Sequence, residues 1–206
     1  MAPNPSIVVF DLGGVLIDWN PRHLYRSLIE DEAEREYFLK EICSPAWNLT
    51  ADAGVPLAEA TAELVAQHPH KEALIRAYFD RWIEMIGGPM PETVALLEAL
   101  HGRGTPLWAI TNWSAETFAL VRHEPPYAFL NLFRDIFVSG DLRMVKPEEP
   151  IFRHALAAIG AEPAQCLFID DAPHNVATAR RIGMHAHQFH HATGLESELR
   201  ALGLLS

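Results

Sequence analysis

The sequence predicts an α/β protein: a doubly wound parallel sheet with a helical subdomain inserted after the first strand. Three observations carry this reading. Short apolar runs recur along the chain, helical patterns separate most of them, and one long stretch, Pro21–Met90, has helical spacing with almost no strand signal. Strand–helix alternation is the mark of a parallel layer, because parallel neighbours need a long crossover.

Five runs read as strands: Ile7–Phe10, Leu107–Thr111, Ile136–Val138, Leu167–Ile169 and Met184–Phe189. The first four lack polar alternation, as strands covered on both faces do. Among the helices, Pro91–Arg103 sets Val94, Leu97 and Leu100 on one stripe and stops at Gly104, a residue suited to a helix end. Ser114–His123 starts on a serine cap, Pro150–Ile159 ends at Gly160, Asn175–Ile182 ends at Gly183, and Gly194–Leu202 closes the chain. Inside the long exception, "RHLYRSLI", "EREYFLKEI", "LAEATAELVAQ" and "EALIRAYFDRWIEMI" all have helical spacing. This is too much for a simple crossover. The chain therefore divides into a core, 1–17 and 88–206, and a helical cap, 18–87. Ligands of open α/β sheets bind beyond the carboxyl ends of the strands, so an insertion leaving from that edge sits over the site as a lid.

At 206 residues and 49% hydrophobic content, the chain has the makings of one globular domain carrying an insertion. Its formal net charge of −11 excludes a nucleic-acid partner as the default, since phosphate-backbone binding needs a basic footprint. A small-molecule partner is expected, with the chain a monomer or a homodimer. Cys43 and Cys166 are the only cysteines. Cys166 opens the apolar run "CLFID" and reads as a buried hydrophobe, and the pattern fits a reducing, cytoplasmic setting. The N-terminal "MAPNPSIVVF" has no signal-peptide pattern. No apolar run approaches the ~20 residues of a membrane span.

Chemistry-bearing residues follow the core strands. Asp11 ends the first, Thr111 and Asn112 the second, Lys146 comes after the third, and Asp170, Asp171 and Asn175 follow the fourth. This set suits phosphoryl transfer. A carboxylate such as Asp11 can attack phosphorus, Asp11 and Asp170 can offer hard oxygens to Mg²⁺, and Thr111, Asn112 and Lys146 can hold the phosphoryl oxygens. Gly13 and Gly14 let backbone N–H groups approach the same oxygens.

At these positions "FDLGGVLID", "AITNWS", "MVKPEEPIF" and "FIDDAPHN" resemble the four ordered motifs of the haloacid dehalogenase-like hydrolase superfamily. The resemblance covers essentially the whole core, and the helical insertion matches the cap position of many members. It implies a Rossmann-like fold, Asp11 as nucleophile and metal ligand, and Mg²⁺ as cofactor. It further implies that Asp170 ligates the metal directly, that Asp171 and Asn175 orient metal-bound water, and that the carbonyl of Gly13 completes the ligand set. Thr111 and Lys146 are then the groups that bind the transferred phosphoryl.

Gly13 is also the departure. Phosphatases of the superfamily mostly place there a second Asp, which protonates the leaving oxygen. Dehalogenases place a bulky aromatic, because halide needs no proton. The retained Asp170–Asp171 pair resembles the metal-dependent phosphatases, and the pattern is closest to sugar-phosphate phosphatases that share the glycine. The expectation is a Mg²⁺-dependent phosphatase acting on a small phosphorylated metabolite such as a glycosyl phosphate, through an aspartyl phosphate. Carbon–halogen hydrolysis by the same Asp is the chemical rival, and a non-catalytic metal- or phosphate-binding module is the third reading. Asp18, at the end of "VLID", or a residue of the cap is the candidate substitute proton donor.

Plainer readings stand beside these. Asp11 can merely cap a turn, Thr111 can be structural, and Lys146 can be a solvated lysine. Adjacent acids such as Asp170 and Asp171 after an apolar strand are costly without a cation. Trp19, Trp47, Trp82 and Trp113 read as core packing or as a substrate platform; Trp19 and Trp113, beside motif positions, are the pocket candidates. Arg22 opens the cap and reads mainly as an exposed helix-start arginine. His185 and His187 of "MHAHQFHH" share a strand face, but no Cys or acid completes a zinc set. His174 lies near the expected site.

Overall fold

The computed structural model describes residues 4–206; the first three residues of the N-terminal stretch read above for a signal peptide lie outside them. Five strands form one parallel sheet: β1 (Ile7–Phe10), β4 (Leu107–Thr111), β5 (Ile136–Val138), β6 (Cys166–Asp170) and β7 (His185–Gln188), in the order β5-β4-β1-β6-β7. β1 lies at the centre, with Val8 opposite both Leu107 and Leu167. Successive side chains enter opposite cores. Val8, Phe10, Leu167 and Ile169 pack on one face, and Val9, Cys166 and Phe168 on the other. Both faces are covered, so the central strands carry apolar residues without alternation. The expected Rossmann-like α/β core is therefore present.

The core helices follow the expected pattern closely: α6 (Pro91–Gly102), α9 (Glu149–Ile159), α10 (Pro173–Arg181) and α11 (Ala192–Ala201). Two details differ. α7 (Ala115–Ala119) stops short of His123, and Glu124 is already extended ahead of Pro125, as pre-proline sterics require. Ser114 stands at the start of α7, but its hydroxyl makes no capping bond.

The inserted stretch holds α1 (Arg22–Leu28), α2 (Glu32–Tyr37), α3 (Pro45–Asp52), α4 (Leu57–Gln67) and α5 (Glu72–Asp80). Of these α3 was not anticipated. Its start is well specified: the Ser44 hydroxyl accepts from the Trp47 N–H at 3.2 Å, and Pro45 takes the first turn. The low strand signal of this stretch also hid one strand. β3 (Ile86–Pro89) pairs antiparallel with β2 (Ile17–Trp19), Asp18 lying opposite Gly88. The chain leaves the core and returns to it through this ribbon.

A short helix, α8 (Ser139–Leu142), follows β5 and presses Gly140 against the backbone after β4. A Cβ on Gly140 would stand 2.5 Å from the Ala115 nitrogen and 2.9 Å from the Trp113 carbonyl oxygen. Neither backbone atom can swing aside. Gly140→Ala should therefore cost about 1–3 kcal/mol, read as a lower urea midpoint at unchanged m-value.

Candidate active site

Four loops converge beyond the carboxyl ends of β1, β4, β5 and β6. Asp11 leaves β1 with its N–H bonded to the Ile169 carbonyl at 2.8 Å. The turn after it is tight: the Leu12 carbonyl accepts from Leu16 and Ile17 at 2.8 and 2.9 Å, and Gly14 adopts φ +72°. The positive φ of Gly14 favours glycine, and a Cβ there would lie 2.9 Å from Asp171 Oδ2, so a larger residue would also have to turn that carboxylate aside.

Lys146 joins the two acids. Its ammonium lies 2.8 Å from Asp11 Oδ2 and donates to Asp170 Oδ2 at 2.7 Å. It is 2% exposed, and Asp170 is fully buried. Asn112 holds the lysine in place from β4. Its side chain accepts from the Lys146 N–H at 2.8 Å and donates to the Lys146 carbonyl at 2.9 Å. Asp170 is held equally firmly. Asn175 Nδ2 donates to both its oxygens, at 2.9 and 3.0 Å, and the Ala172 N–H reaches Oδ1 at 2.9 Å.

Three carboxylates against one ammonium leave the cluster short of positive charge. Burial pushes the Asp11 carboxyl up to about 8, and the Asp170 and Asp171 charges push the same way against the attraction of Lys146. Burial opposes the Lys146 charge, but Asp11 and Asp170 outweigh it and hold the ammonium above its ordinary value. Partial burial and Asp170 also raise Asp171. We read Lys146 as firmly charged and Asp11 as the group left undercompensated.

Oxygens of Asp11, Asp170 and Asp171 lie within 4.8 Å of one another, the one such cluster among the described residues. Hard oxygen donors with excess negative charge fit a hard divalent cation such as Mg²⁺. Asn175 Oδ1 is buried beside them without a hydrogen-bond partner, one more hard oxygen at the same place. The donor set therefore fits the metal.

A cavity of about 720 Å³ opens in front of this cluster, lined by Asn112, Lys146 and His174 from the core and by Trp19, Leu39, Leu49, Asp52 and Tyr78 from the inserted stretch. A smaller one of about 90 Å³ adjoins it and is lined by Gly13, Trp19, Asn48, Asp52, Asn112, Trp82 and Trp113. Trp19 and Trp113 thus both face cavities, although Trp113 is buried and packs on Trp82 with centroids 5.3 Å apart. Thr111 is buried at the end of β4. Arg22 borders the larger cavity but is paired with Glu36, its Nε donating at 2.7 Å. Asp18 lines neither cavity and lies 2.9 Å from His23 Nε2. His185 and His187 belong to no three-residue metal cluster among the described residues.

Sequence reasoning missed Asn48, Asp52 and Ser139. Ser139 Oγ donates to the Asp52 carbonyl at 2.6 Å and accepts from the Trp113 N–H at 2.9 Å, tying α3 to the core. An Asp inside a polar helix end has no local signal that separates it from a solvated acid.

Two outcomes follow. Folded Asp11 keeps a proton that the unfolded chain gives up near its ordinary value of 3.8. Stability without divalent metal should therefore fall as pH rises from about 4 towards 8. Asp11→Asn should flatten that slope in urea titrations run with chelator, and the difference between the two proteins isolates this group. Asn112→Ala removes both bonds that hold the Lys146 backbone and should cost about 1–3 kcal/mol, read by the same titration.

Comparison with known proteins gives the family. A profile of haloacid dehalogenase-like hydrolases matches residues 5–183. The sesquiterpene phosphatase astK of Aspergillus oryzae is 28% identical over 176 residues, covering 85% of each chain. The fructose-1-phosphate phosphatase YqaB of Escherichia coli is 24% identical over 87% of this chain and 93% of its own. A haloacid dehalogenase-like enzyme of Bacteroides thetaiotaomicron, crystallised with magnesium and inorganic phosphate, superposes with a TM-score of 0.66 at 22% identity, covering 89% of this chain and 93% of that one. With an aspartate at the end of the central strand, a lysine bridging it to a buried acid, and a match through nearly the whole core, this chain belongs to the haloacid dehalogenase-like hydrolases.

Proposed function

We propose that the protein is a Mg²⁺-dependent phosphatase of a small organic phosphate monoester, working through an aspartyl phosphate on Asp11. The observation that carries this is the buried Asp11–Lys146–Asp170 array, whose lysine lines a cavity large enough for a metabolite. The Leu12 N–H holds Asp11 Oδ1 at 2.7 Å and the Lys146 ammonium lies 2.8 Å from Oδ2, so the attacking carboxylate is fixed in orientation beside the cation that receives the phosphoryl group. Lys146 and the Thr111 hydroxyl hold the transferring oxygens, and the N–H groups of the Gly13–Gly14 turn add donors. Asp11, Asp170, Asp171, Asn175 and the Gly13 carbonyl are the groups that would hold Mg²⁺, which when bound neutralises charge on the phosphoryl group. Asn112 acts on this set by positioning Lys146.

Residues 18–87 serve as a cap. They supply one wall of the cavity, so that the substrate is enclosed between cap and core and bulk water is excluded during transfer. Two buried free cysteines fit a cytoplasmic setting.

The sugar-phosphate reading draws support from the likeness to the fructose-1-phosphate phosphatase. A second reading of the leaving group rests on the cavity wall. Trp19, Leu39, Cys43, Pro45, Leu49 and Tyr78 give it a broad apolar face, which suits a hydrocarbon group better than a polyol, and the sesquiterpene phosphatase is a similar protein.

With Mg²⁺ present, the purified protein should release phosphate from members of a panel of sugar and terpenyl phosphates. Chelation should stop the release and Asp11→Asn should reduce it to background. The rank order of the panel decides between the two leaving groups. Halide release from 2-chloropropionate without metal, and no phosphate from the panel, would overturn the phosphatase reading.

A further inference from the structure

We propose that Asp52, carried by the inserted helix α3, is the general acid and base that position 13 lacks. The proposal rests on the phosphatase reading above. It answers a specific deficit: a glycine stands where a proton donor to the leaving oxygen would sit, and Asp18 turns away to His23.

The geometry begins with an opening. No atom lies within 4 Å of the point where a side chain at Gly13 would start. Gly13 also lines the 90 Å³ cavity, and Asp52 is the one titratable residue on its wall. Asp52 also borders the 720 Å³ cavity together with Lys146. A leaving group departing from a phosphoryl held at Asp11 and Lys146 thus has Gly13 on one side and the Asp52 carboxyl on another.

The carboxyl is held in place. Asn48 Nδ2 donates to Oδ2 at 2.9 Å, and the nearby Ser114 backbone N–H favours its charged form. Ser139 fixes the Asp52 carbonyl from the core side. The side chain is withdrawn from bulk solvent: Asp52 is only 8% exposed. It ends α3, where unpaired carbonyls disfavour negative charge.

Its protonation suits the task. Burial pushes the carboxyl up to about 7, against the Ser114 N–H and the Lys146 charge, which pull it down. Tyr78 of α5 faces it as a second titratable group, and Arg143, after α8, lies along the neighbouring Gly54. A group titrating near neutrality can both give and take a proton. In the first step the Asp11–phosphorus bond forms, the bond from phosphorus to the leaving oxygen breaks, and the Asp52 proton passes to that oxygen. In the second step water attacks phosphorus, its proton passes to Asp52, and the Asp11–phosphorus bond breaks to release inorganic phosphate.

The test compares Asp52→Asn with wild type on the best alkyl phosphate of the panel and on p-nitrophenyl phosphate, whose leaving group departs without a proton. The variant keeps the size of the side chain and an acceptor for Ser114. Its kcat/KM on the alkyl phosphate should fall by about 10²–10⁴-fold. On p-nitrophenyl phosphate it should retain a rapid burst of one nitrophenolate per site, followed by slow turnover as the aspartyl phosphate accumulates. Equal losses in the first step for both substrates would overturn the role, since that is the signature of a merely structural acid. Should the variant not fold, wild type carries the test. Its alkyl-phosphate rate should decline on the alkaline side of about 7 while the nitrophenolate burst does not, and a decline in both would overturn the proposal. Wild type that releases phosphate from neither substrate would overturn the phosphatase reading itself.

Discussion

A buried ammonium between two carboxylates organises this protein. Lys146 stands between Asp11 and Asp170, and each partner is anchored by a different element. Asp11 follows β1 directly, the Asn112 side chain just after β4 holds the lysine backbone, and Asn175 on α10 holds Asp170. Charges this deep cost several kcal/mol each to desolvate. They persist because each is paired and bonded, and because the site is built to bring charges together. The surplus of negative charge, felt most at Asp11, is the same feature that makes the cluster receptive to a divalent cation.

That array sits on the core, yet the cavity in front of it does not belong to the core alone. Trp19, Leu39, Asp52 and Tyr78 come from the inserted stretch and face Asn112, Lys146 and His174 from the sheet. Ser139 fastens the two together by bonding the Asp52 carbonyl on one side and the Trp113 N–H on the other. On the mechanism proposed above, transfer chemistry and leaving-group chemistry fall to different parts of the chain. Gly13 makes the division visible, because the core loop offers a backbone where a side-chain acid would otherwise stand.

Much of this was legible in the residues. The strands β1, β4, β5 and β6 read as apolar runs because two cores cover them, and the chemistry-bearing residues could be placed because each follows such a run. The ribbon of β2 and β3 could not be read: "IGGP" carries no alternation, and its partner Ile17–Trp19 lies far back in sequence. α3 did carry a start signal in Ser44–Pro45, but nothing local distinguishes Asp52 from the many solvated acids of the helical stretch. Asn112 read as a phosphate ligand by position, whereas both ends of its amide meet the Lys146 backbone.

By itself, then, the sequence determined the layer architecture, the strand that delivers Asp11, and the residue types gathered at one sheet edge. Those features depend on local periodicity and on which residues end a strand, and both are written in short stretches of chain. Only the tertiary structure decided which groups meet. The Lys146 bridge joins residues that end or follow three different strands, and the opposition of Asp52 to Gly13 joins a helix of the insertion to the first turn of the core. Burial and partnership across such distances set the charge state of a carboxyl, and they are properties of packing rather than of any segment.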